Sequence, residues 1–186
     1  MVTSVKLQET TSLESQILSL EDFLAHPLQN MEWVDGQLIE KTGMTLRHGQ
    51  IQLRLGSYWR NYMLSNGQGG EVYTEASCRT KAQGRRPDVS YLTPELQAQY
   101  ARATSLPQSF PLIGEIASPN DSAEELFAKA KEYLDSGCQE VWLVYPESLW
   151  IIIMTEKQHL LLTVGETAST QTVLQGFNVA IDELLA

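Results

Sequence analysis

The alternation of hydrophobic and polar residues is clearest early in the chain, from Met31 to Glu40. Two short alternating runs flank Asp35-Gly36, and an Asp-Gly pair between such runs is typical of a type I′ hairpin turn. Upstream, Ser19 is followed three residues later by Asp22, which is the pattern of a helix N-cap. This region predicts a short helix over residues 20–25 and then a β-hairpin.

Helical spacing governs two longer stretches. From Thr45 to Leu64, apolar residues recur every three or four positions, which predicts a helix with one core-facing stripe: Ile51, Leu55, Tyr58, Trp59 and Tyr62. A second helix is predicted to start from a cap at Asn120 or Asp121, to run through Asp135, and to end before Gly137. Its predicted inward face consists of Leu126, Ala130, Tyr133 and Leu134.

Strand-like runs lie between and after these helices. They cover residues 71–80, 87–92, 110–117 and 140–146, and a hairpin over 149–154 and 159–164. A last segment over 172–179 leads to a short helix near 181–185. Interleaved strands and helices predict an α/β (α+β-like) fold. We expect one domain over residues 18–186, preceded by a flexible, polar segment over residues 1–17.

The composition of the chain excludes several classes of protein. The chain has 186 residues, 42% of them hydrophobic, which is enough for a core. It contains no run of about 18 apolar residues that would predict a membrane span, and its first 20 residues lack the basic-then-apolar order of a secretory signal. Cys78 and Cys138 form neither a disulfide framework nor a zinc spacing. We therefore expect a reduced, cytoplasmic protein that does not insert into membranes.

Two carboxylates stand at the edges of apolar strand segments. Asp88 follows Arg86-Pro87 at the start of one strand, and Glu115 lies within the strand over residues 110–117. A carboxylate in a buried strand is costly unless it is paired, protonated or metal-bound. Hard divalent cations prefer oxygen ligands, so the pair suggests a metal site, and a Glu115 neutralised by a nearby arginine is the structural alternative.

Basic residues are unevenly distributed. The net charge is −10, and residues 1–102 carry 10 Lys/Arg and 11 Asp/Glu, whereas residues 103–186 carry 3 and 12. Such a charge does not attract nucleic acid, so any phosphate contacts should come from the first half. Its densest basic loop holds Arg79, Lys81, Arg85 and Arg86, which suggests either a phosphate-tracking surface or a solvated loop.

These motifs, in this order, resemble the PD-(D/E)XK restriction-endonuclease-like superfamily, in its Uma-type branch of small endonucleases. The resemblance covers Leu18 to the C-terminus. It rests on four segments: Glu32-Trp33-Val34-Asp35-Gly36, Arg86-Pro87-Asp88, Glu115-Ile116-Ala117-Ser118-Pro119, and the block from Lys129 to Gly137 closed by Glu140-Val141-Trp142-Leu143-Val144.

The resemblance implies a restriction-endonuclease-like core, in which helices flank a mixed central β-sheet and an N-terminal helix and hairpin precede it. It also implies metal-assisted cleavage of DNA. Asp88 and Glu115 would bind Mg²⁺ (or Mn²⁺), with the carbonyl of Ile116 as a further ligand. The parent pattern has lysine two residues after the second carboxylate, where this chain has Ala117. The branch moves that lysine to the next helix, four residues before a tyrosine, which implies Lys129, with Lys131 as the reserve.

Two further residues, Glu32 and His48, are candidates for positions around the metal site. Glu32 resembles an additional acidic residue near the metal, as an outer or second-metal ligand, and the alternative is a solvated strand carboxylate. His48, near the start of a helix, is either structural or close to the cleft. The superfamily often works as dimers, so a homodimer acting on DNA is expected.

The competing hypothesis is an inactive nuclease-fold module that binds nucleic acid or protein, suggested by the acidic charge and Ala117.

Overall fold

The computed structural model describes residues 19–186, so the predicted flexible segment over residues 1–17 lies outside the described residues. The helices are α1 (Leu20–Ala25), α2 (Leu46–Ser65), α3 (Pro94–Tyr100), α4 (Ala123–Leu134) and α5 (Ile181–Leu184). The strands are β1 (Met31–Val34), β2 (Gln37–Glu40), β3 (Glu71–Thr74), β4 (Cys78–Arg79), β5 (Gly84–Arg85), β6 (Val89–Leu92), β7 (Leu112–Ile116), β8 (Glu140–Tyr145), β9 (Trp150–Thr155), β10 (His159–Leu162), β11 (Thr167–Ser169) and β12 (Asn178–Ala180).

A six-stranded mixed sheet forms the centre, in the order β10-β9-β8-β7-β6-β3. Its neighbours pair antiparallel except β7 and β8, which pair parallel with Glu115 opposite Leu143. Parallel neighbours need a crossover connection, and α4 supplies it. A four-stranded sheet of order β2-β1-β5-β4 and the pair β11-β12 complete the fold. The predicted mixed sheet flanked by helices is therefore confirmed.

Helices cover both faces of the central sheet. On one face, α2 buries Ile51, Leu55 and Trp59 in a cluster that includes residues of β6, β7 and β8. On the other, α4 buries Leu126, Ala130 and Tyr133 against a second cluster. Because side chains alternate along a strand, Ile113 and Glu115 of β7 face α4. This alternation places the Glu115 carboxylate under α4.

Local signals explain where the elements begin. Ser19 caps α1, and its hydroxyl oxygen accepts a hydrogen bond from the Asp22 N–H at 3.1 Å. The turn between β1 and β2 has positive φ at both Asp35 (49°) and Gly36 (80°), as the type I′ prediction requires. Thr45 caps α2 by accepting from the His48 N–H.

Two local predictions are wrong. The cap of α4 is Ser122, which forms a capping box with Glu125, whereas Asp121 accepts hydrogen bonds from Ser118. The predicted strand over residues 71–80 is broken after Thr74, because Glu75 adopts a φ of 55° that an extended strand does not allow. The break directs the Glu75 carboxylate toward Lys41, 2.8 Å away.

Gly114 in β7 provides a test of packing beneath α2. A Cβ atom at this position would lie 2.6 Å from Leu55 Cδ2 and 3.3 Å from Trp59. We expect Gly114→Ala to lower the free energy of unfolding by about 1–3 kcal/mol through overpacking, measured by urea denaturation. Gly49→Ala is the control, because an added Cβ there meets nothing within 4 Å and alanine favours the helix. Equal stability of both variants would contradict the close packing.

Candidate metal and phosphate site

Asp88 lies just before β6 and is almost completely buried, at 1% exposed. Its Oδ2 accepts hydrogen bonds from the Ile116 N–H at 2.7 Å and lies 3.2 Å from His48 Nε2. Its Oδ1 accepts from the Lys41 ammonium at 2.9 Å. Burial alone would raise the pKa of Asp88, but Lys41 and His48 outweigh burial and hold that pKa well below its usual range. Asp88 is therefore an anion at neutral pH.

Glu115 is also buried and belongs to the same cluster. Its Oε1 accepts a hydrogen bond from the Tyr133 hydroxyl at 2.7 Å and lies 3.1 Å from Lys129 Nζ. Burial raises the pKa of Glu115 to about 7, and the attraction of Lys129 offsets only part of that effect. Both of these contacts are made with Oε1, so a cation would approach this carboxylate through Oε2.

The two lysines of α4 have different environments. The Lys129 ammonium lies 3.1 Å from Glu115 and 3.0 Å from Glu32, with its side chain 15% exposed. The Lys131 side chain is 72% exposed and pairs with Asp135 at 2.7 Å. Two positions along a helix differ by about 200°, so only one of these lysines points to the sheet. Lys131, the reserve candidate, thus lies away from the two carboxylates.

Glu32 is fully engaged by cations and by one backbone donor. Its carboxylate accepts from Arg85 Nη1 at 3.1 Å, from the Arg86 N–H at 2.9 Å, and lies 3.0 Å from Lys129 Nζ. Burial alone would raise the pKa of Glu32, but Lys129 and Arg85 outweigh it and lower that pKa. Glu32 therefore supports the position of Lys129, and the alternative of a solvated strand carboxylate is wrong.

His48 reaches the cluster from the first turn of α2. Its Nε2 contacts Asp88, whereas its buried Nδ1 has no hydrogen-bond partner among the described residues. Burial would lower the pKa of His48, but the hydrogen bond and charge of Asp88 raise it overall. The side chain also lines the cavity beside Asp88, so of the two alternatives, a structural histidine or one close to the cleft, its position favours the second.

Three residues of the cluster were missed in the sequence. The Lys41 ammonium donates to Asp88 and to Glu75, and Gln52 Nε2 donates to Glu75 Oε1 and to the Asp88 carbonyl, both at 2.9 Å. The spacing of Gln52, four residues after His48, placed both on one helix face and could have indicated it. Lys41 and Glu75 are in loops and carry no periodic signal.

The basic loop does not form a continuous phosphate-tracking surface. Arg85 Nε and Nη2 bind Glu132, and the Arg86 guanidinium binds the Leu28 carbonyl and Ser77 Oγ. The Arg79 guanidinium pairs with Glu21 at the surface, and Lys81 is exposed. The basic loop is therefore divided, because Arg85 and Arg86 point into the protein whereas Arg79 and Lys81 lie at the surface.

A cavity of about 510 Å³ opens onto these groups. Its wall includes Asp88, Glu115, Ile116, Lys41, Lys129 and Glu32. The volume is in the range of small-ligand sites, and it is large enough for a phosphate with its flanking atoms. Lysine cations and carboxylates line the same wall, which is the combination that metal-assisted chemistry at a phosphate requires.

The oxygen ligands of this site suit a hard divalent cation, on the condition that Lys41 releases one of them. Carboxylate and carbonyl oxygens are the ligands that Mg²⁺ prefers, and Asp88, Glu115 and the Ile116 carbonyl would hold it. Among residues 19–186, no three acidic, histidine or cysteine side chains converge as a metal site, so two carboxylates and a carbonyl would have to suffice. Lys41 holds Asp88 Oδ1, and it would have to give up that oxygen to the cation.

Comparison with solved structures identifies the fold. A crystal structure of a putative nuclease belonging to DUF820 from Anabaena variabilis superposes with a TM-score of 0.79 over 90% of this chain and 97% of that chain, at 17% identity. This likeness confirms the restriction-endonuclease-like fold. A DrdV–DNA complex matches 83% of this chain but 12% of its own chain, at 14% identity and a TM-score of 0.40, which is too low to carry an argument.

Sequence comparison gives the family directly. No curated protein matches the chain at a significant level. The family model described as Uma2, putative restriction endonuclease, matches residues 15–182, which is most of the chain. The predicted resemblance is confirmed by this match and by the fold. The chain therefore belongs to the Uma2 family of putative restriction endonucleases.

Proposed function

We propose that this chain is a Mg²⁺-dependent endonuclease that hydrolyses phosphodiester bonds of DNA, with Mn²⁺ as an alternative ion. One observation carries the proposal: Asp88, Glu115 and Lys129, which lie far apart in the sequence, line one cavity, and Lys129 Nζ is 3.1 Å from Glu115. The family match and the nuclease fold support the same reaction class.

Each residue has a separate task in this proposal. Asp88, Glu115 and the Ile116 carbonyl hold the ion, which when bound polarises the phosphodiester and promotes ionisation of water. Burial would lower the pKa of Lys129, but Glu115 and Glu32 raise it overall. Lys129 therefore stays protonated at neutral pH, so it stabilises negative charge on the phosphate and orients water rather than accepting a proton.

The test is nicking of supercoiled plasmid by the purified protein with Mg²⁺, Mn²⁺ or EDTA. We expect metal-dependent nicking that is lost in an Asp88→Asn/Glu115→Gln double variant and retained in Lys157→Met, whose residue lies at an exposed turn. Calorimetric titration with Mn²⁺ provides a second readout, because its heat should vanish in Glu115→Gln. Nicking that survives the double variant would assign the activity to a contaminant or another site.

The alternative is a non-catalytic module on the same fold. The net charge of −10 and the internal pairing of Arg85 and Arg86 favour it, because both weaken attraction to a phosphate backbone. This alternative predicts neither nicking nor heat from Mn²⁺ in the wild-type protein. The two experiments above therefore separate the module from the nuclease.

We further propose that the enzyme is a homodimer, because cutting two strands takes two sites. We also propose that it acts in the cytoplasm. The two cysteines are buried free thiols, in agreement with a reducing compartment. None of the helices among residues 19–186 is long and apolar enough to cross a membrane. Sedimentation equilibrium should give twice the mass of the 20.9 kDa chain, and a monomeric mass at micromolar concentration would contradict the dimer.

A further inference from the structure

The Lys41 ammonium has its three donors engaged. It donates to Glu75 Oε2 at 2.8 Å, to the Arg86 carbonyl at 2.8 Å, and to Asp88 Oδ1 at 2.9 Å. An ammonium has three N–H groups, so this network satisfies it completely. Lys41 also lines the cavity, in the loop between β2 and α2.

The other oxygen of Asp88 is held by the protein core. Oδ2 accepts from the Ile116 N–H at 2.7 Å and contacts His48 Nε2. A cation that approaches Asp88 from the cavity must therefore use Oδ1. Mg²⁺ binds carboxylate oxygen at about 2.1 Å, and an ammonium on the same oxygen would repel it strongly because both are cations.

We propose that Lys41 is a phosphate-binding residue that exchanges partners: a divalent cation takes Asp88 Oδ1, and the released ammonium binds the substrate phosphate in the same cavity. This inference rests on the proposed nuclease function and adds a second lysine to the site. It concerns a residue outside the motifs that carry the family resemblance.

Lys41 differs from the other cations of the cavity wall because the proposed metal ion would compete with it for Asp88 Oδ1. Among the described residues, that wall contains three Lys or Arg side chains: Lys41, Arg85 and Lys129. Arg85 is fixed by Glu32 and Glu132, and Lys129 is held by Glu115 and Glu32. A lysine has a flexible four-carbon stem, so the Lys41 ammonium can leave Asp88 without a change of the backbone.

Lysine acylation followed by mass spectrometry tests the exchange on the wild-type protein. Three samples are compared: EDTA, Mn²⁺, and Mn²⁺ with a phosphorothioate duplex that resists cleavage. We expect acylation of Lys41 to rise about fivefold or more with Mn²⁺ and to fall again when DNA is added. The reagent attacks the unprotonated amine, which it can reach only when the side chain has left its three acceptors, and Mn²⁺ increases that released population. Lys81 and Lys157, both exposed, are internal controls that should not change.

The outcomes separate this inference from the proposed function. If calorimetry on the same sample shows bound Mn²⁺ while acylation of Lys41 is unchanged, the exchange is overturned and the metal site stands. A rise with Mn²⁺ that DNA does not reverse overturns the phosphate contact. Absence of both heat and acylation change would overturn the metal site of the proposed function, and the exchange with it.

Glu75→Gln gives an independent test that leaves Asp88 and Lys41 in place. The change weakens one of the three acceptors that hold the ammonium. We expect faster acylation of Lys41 in EDTA and an affinity for Mn²⁺ that is about threefold tighter, because less work is needed to free Asp88 Oδ1. Glu71→Gln, at the start of β3 and paired with Arg60 away from Lys41, is the matched control. Weaker Mn²⁺ binding in Glu75→Gln would show that the network positions Asp88 and would overturn the exchange.

Discussion

Replacing Lys129 with methionine is expected to lower the rate of plasmid nicking by about 100-fold or more, the usual cost of removing a group that stabilises transition-state charge. Its ammonium lies 3.1 Å from Glu115 in the cavity wall, and a protonated lysine there offsets the charge that develops on the phosphate. Methionine keeps the length of the side chain but not its charge. The measurement is the initial rate of nicking at saturating Mg²⁺.

Lys131→Met is the matched control on the same helix. Its side chain pairs with Asp135 on the exposed face, and exposed ion pairs contribute little to stability. We expect its nicking rate to remain within about twofold of the wild type, because an exposed charge outside the site acts only through screened interactions. If the loss occurred in Lys131→Met instead, Lys129 would not be the lysine of the site.

The two carboxylates should affect stability in opposite directions. At pH 8 in EDTA, Asp88→Asn is expected to lower the free energy of unfolding by about 2–4 kcal/mol, because it leaves the buried Lys41 and His48 without their anion. Glu115→Gln should instead raise the free energy of unfolding by about 1–3 kcal/mol. Burial makes ionisation of the Glu115 carboxylate unfavourable, and the glutamine has no carboxylate to ionise. Urea denaturation of both variants measures the difference.

The pH dependence follows from the direction of each shift. The pKa of Glu115 is raised from 4.5 to about 7 in the folded protein, so ionisation costs folded stability as pH rises between these values. The advantage of Glu115→Gln should therefore be small at pH 4.5 and complete near pH 8. The pKa of Asp88 is lowered, so its contribution is present above its ordinary value of 3.8 and is lost as pH falls further.

Stability measured at pH 5 and pH 8 in EDTA decides this prediction. Glu115→Gln that is less stable than wild type at pH 8 would show that Lys129 and Tyr133 fully compensate the buried charge. Asp88→Asn that is as stable as wild type would show that Lys41 and His48 do not depend on that anion. A rise in stability upon removal of a site carboxylate would be typical of a site selected for function rather than for stability.

Much of the fold could be predicted because its signals are local. Helix α2 followed from the three- and four-residue spacing of its apolar residues, and the β1–β2 hairpin followed from Asp35-Gly36, whose positive φ angles the structure confirms. The central strands β7 and β8 followed from their apolar runs. The break at Glu75 was missed because nothing in the neighbouring sequence excludes an extended strand there.

The residues that face the cavity needed information that one strand or helix does not contain. Spacing along α4 left Lys129 and Lys131 as alternatives, and only the packing of α4 on the sheet distinguishes them: one ammonium is 3.1 Å from Glu115 and the other is exposed. The basic loop looked uniform in sequence, yet Arg85 and Arg86 point inward, because Glu32, Glu132 and Leu28 supply acceptors from other elements.

The sequence by itself therefore determined the class of fold and the family, because residue pattern and motif order are properties of the chain alone. It also predicted two carboxylates as site residues, and the structure brings both to one cavity. The tertiary structure decided which charges meet. Asp88 and Lys41 are 47 residues apart and within 2.9 Å, and no periodicity relates them. Electrostatic interactions depend on distance in space and on burial, and both quantities exist only once the chain has folded.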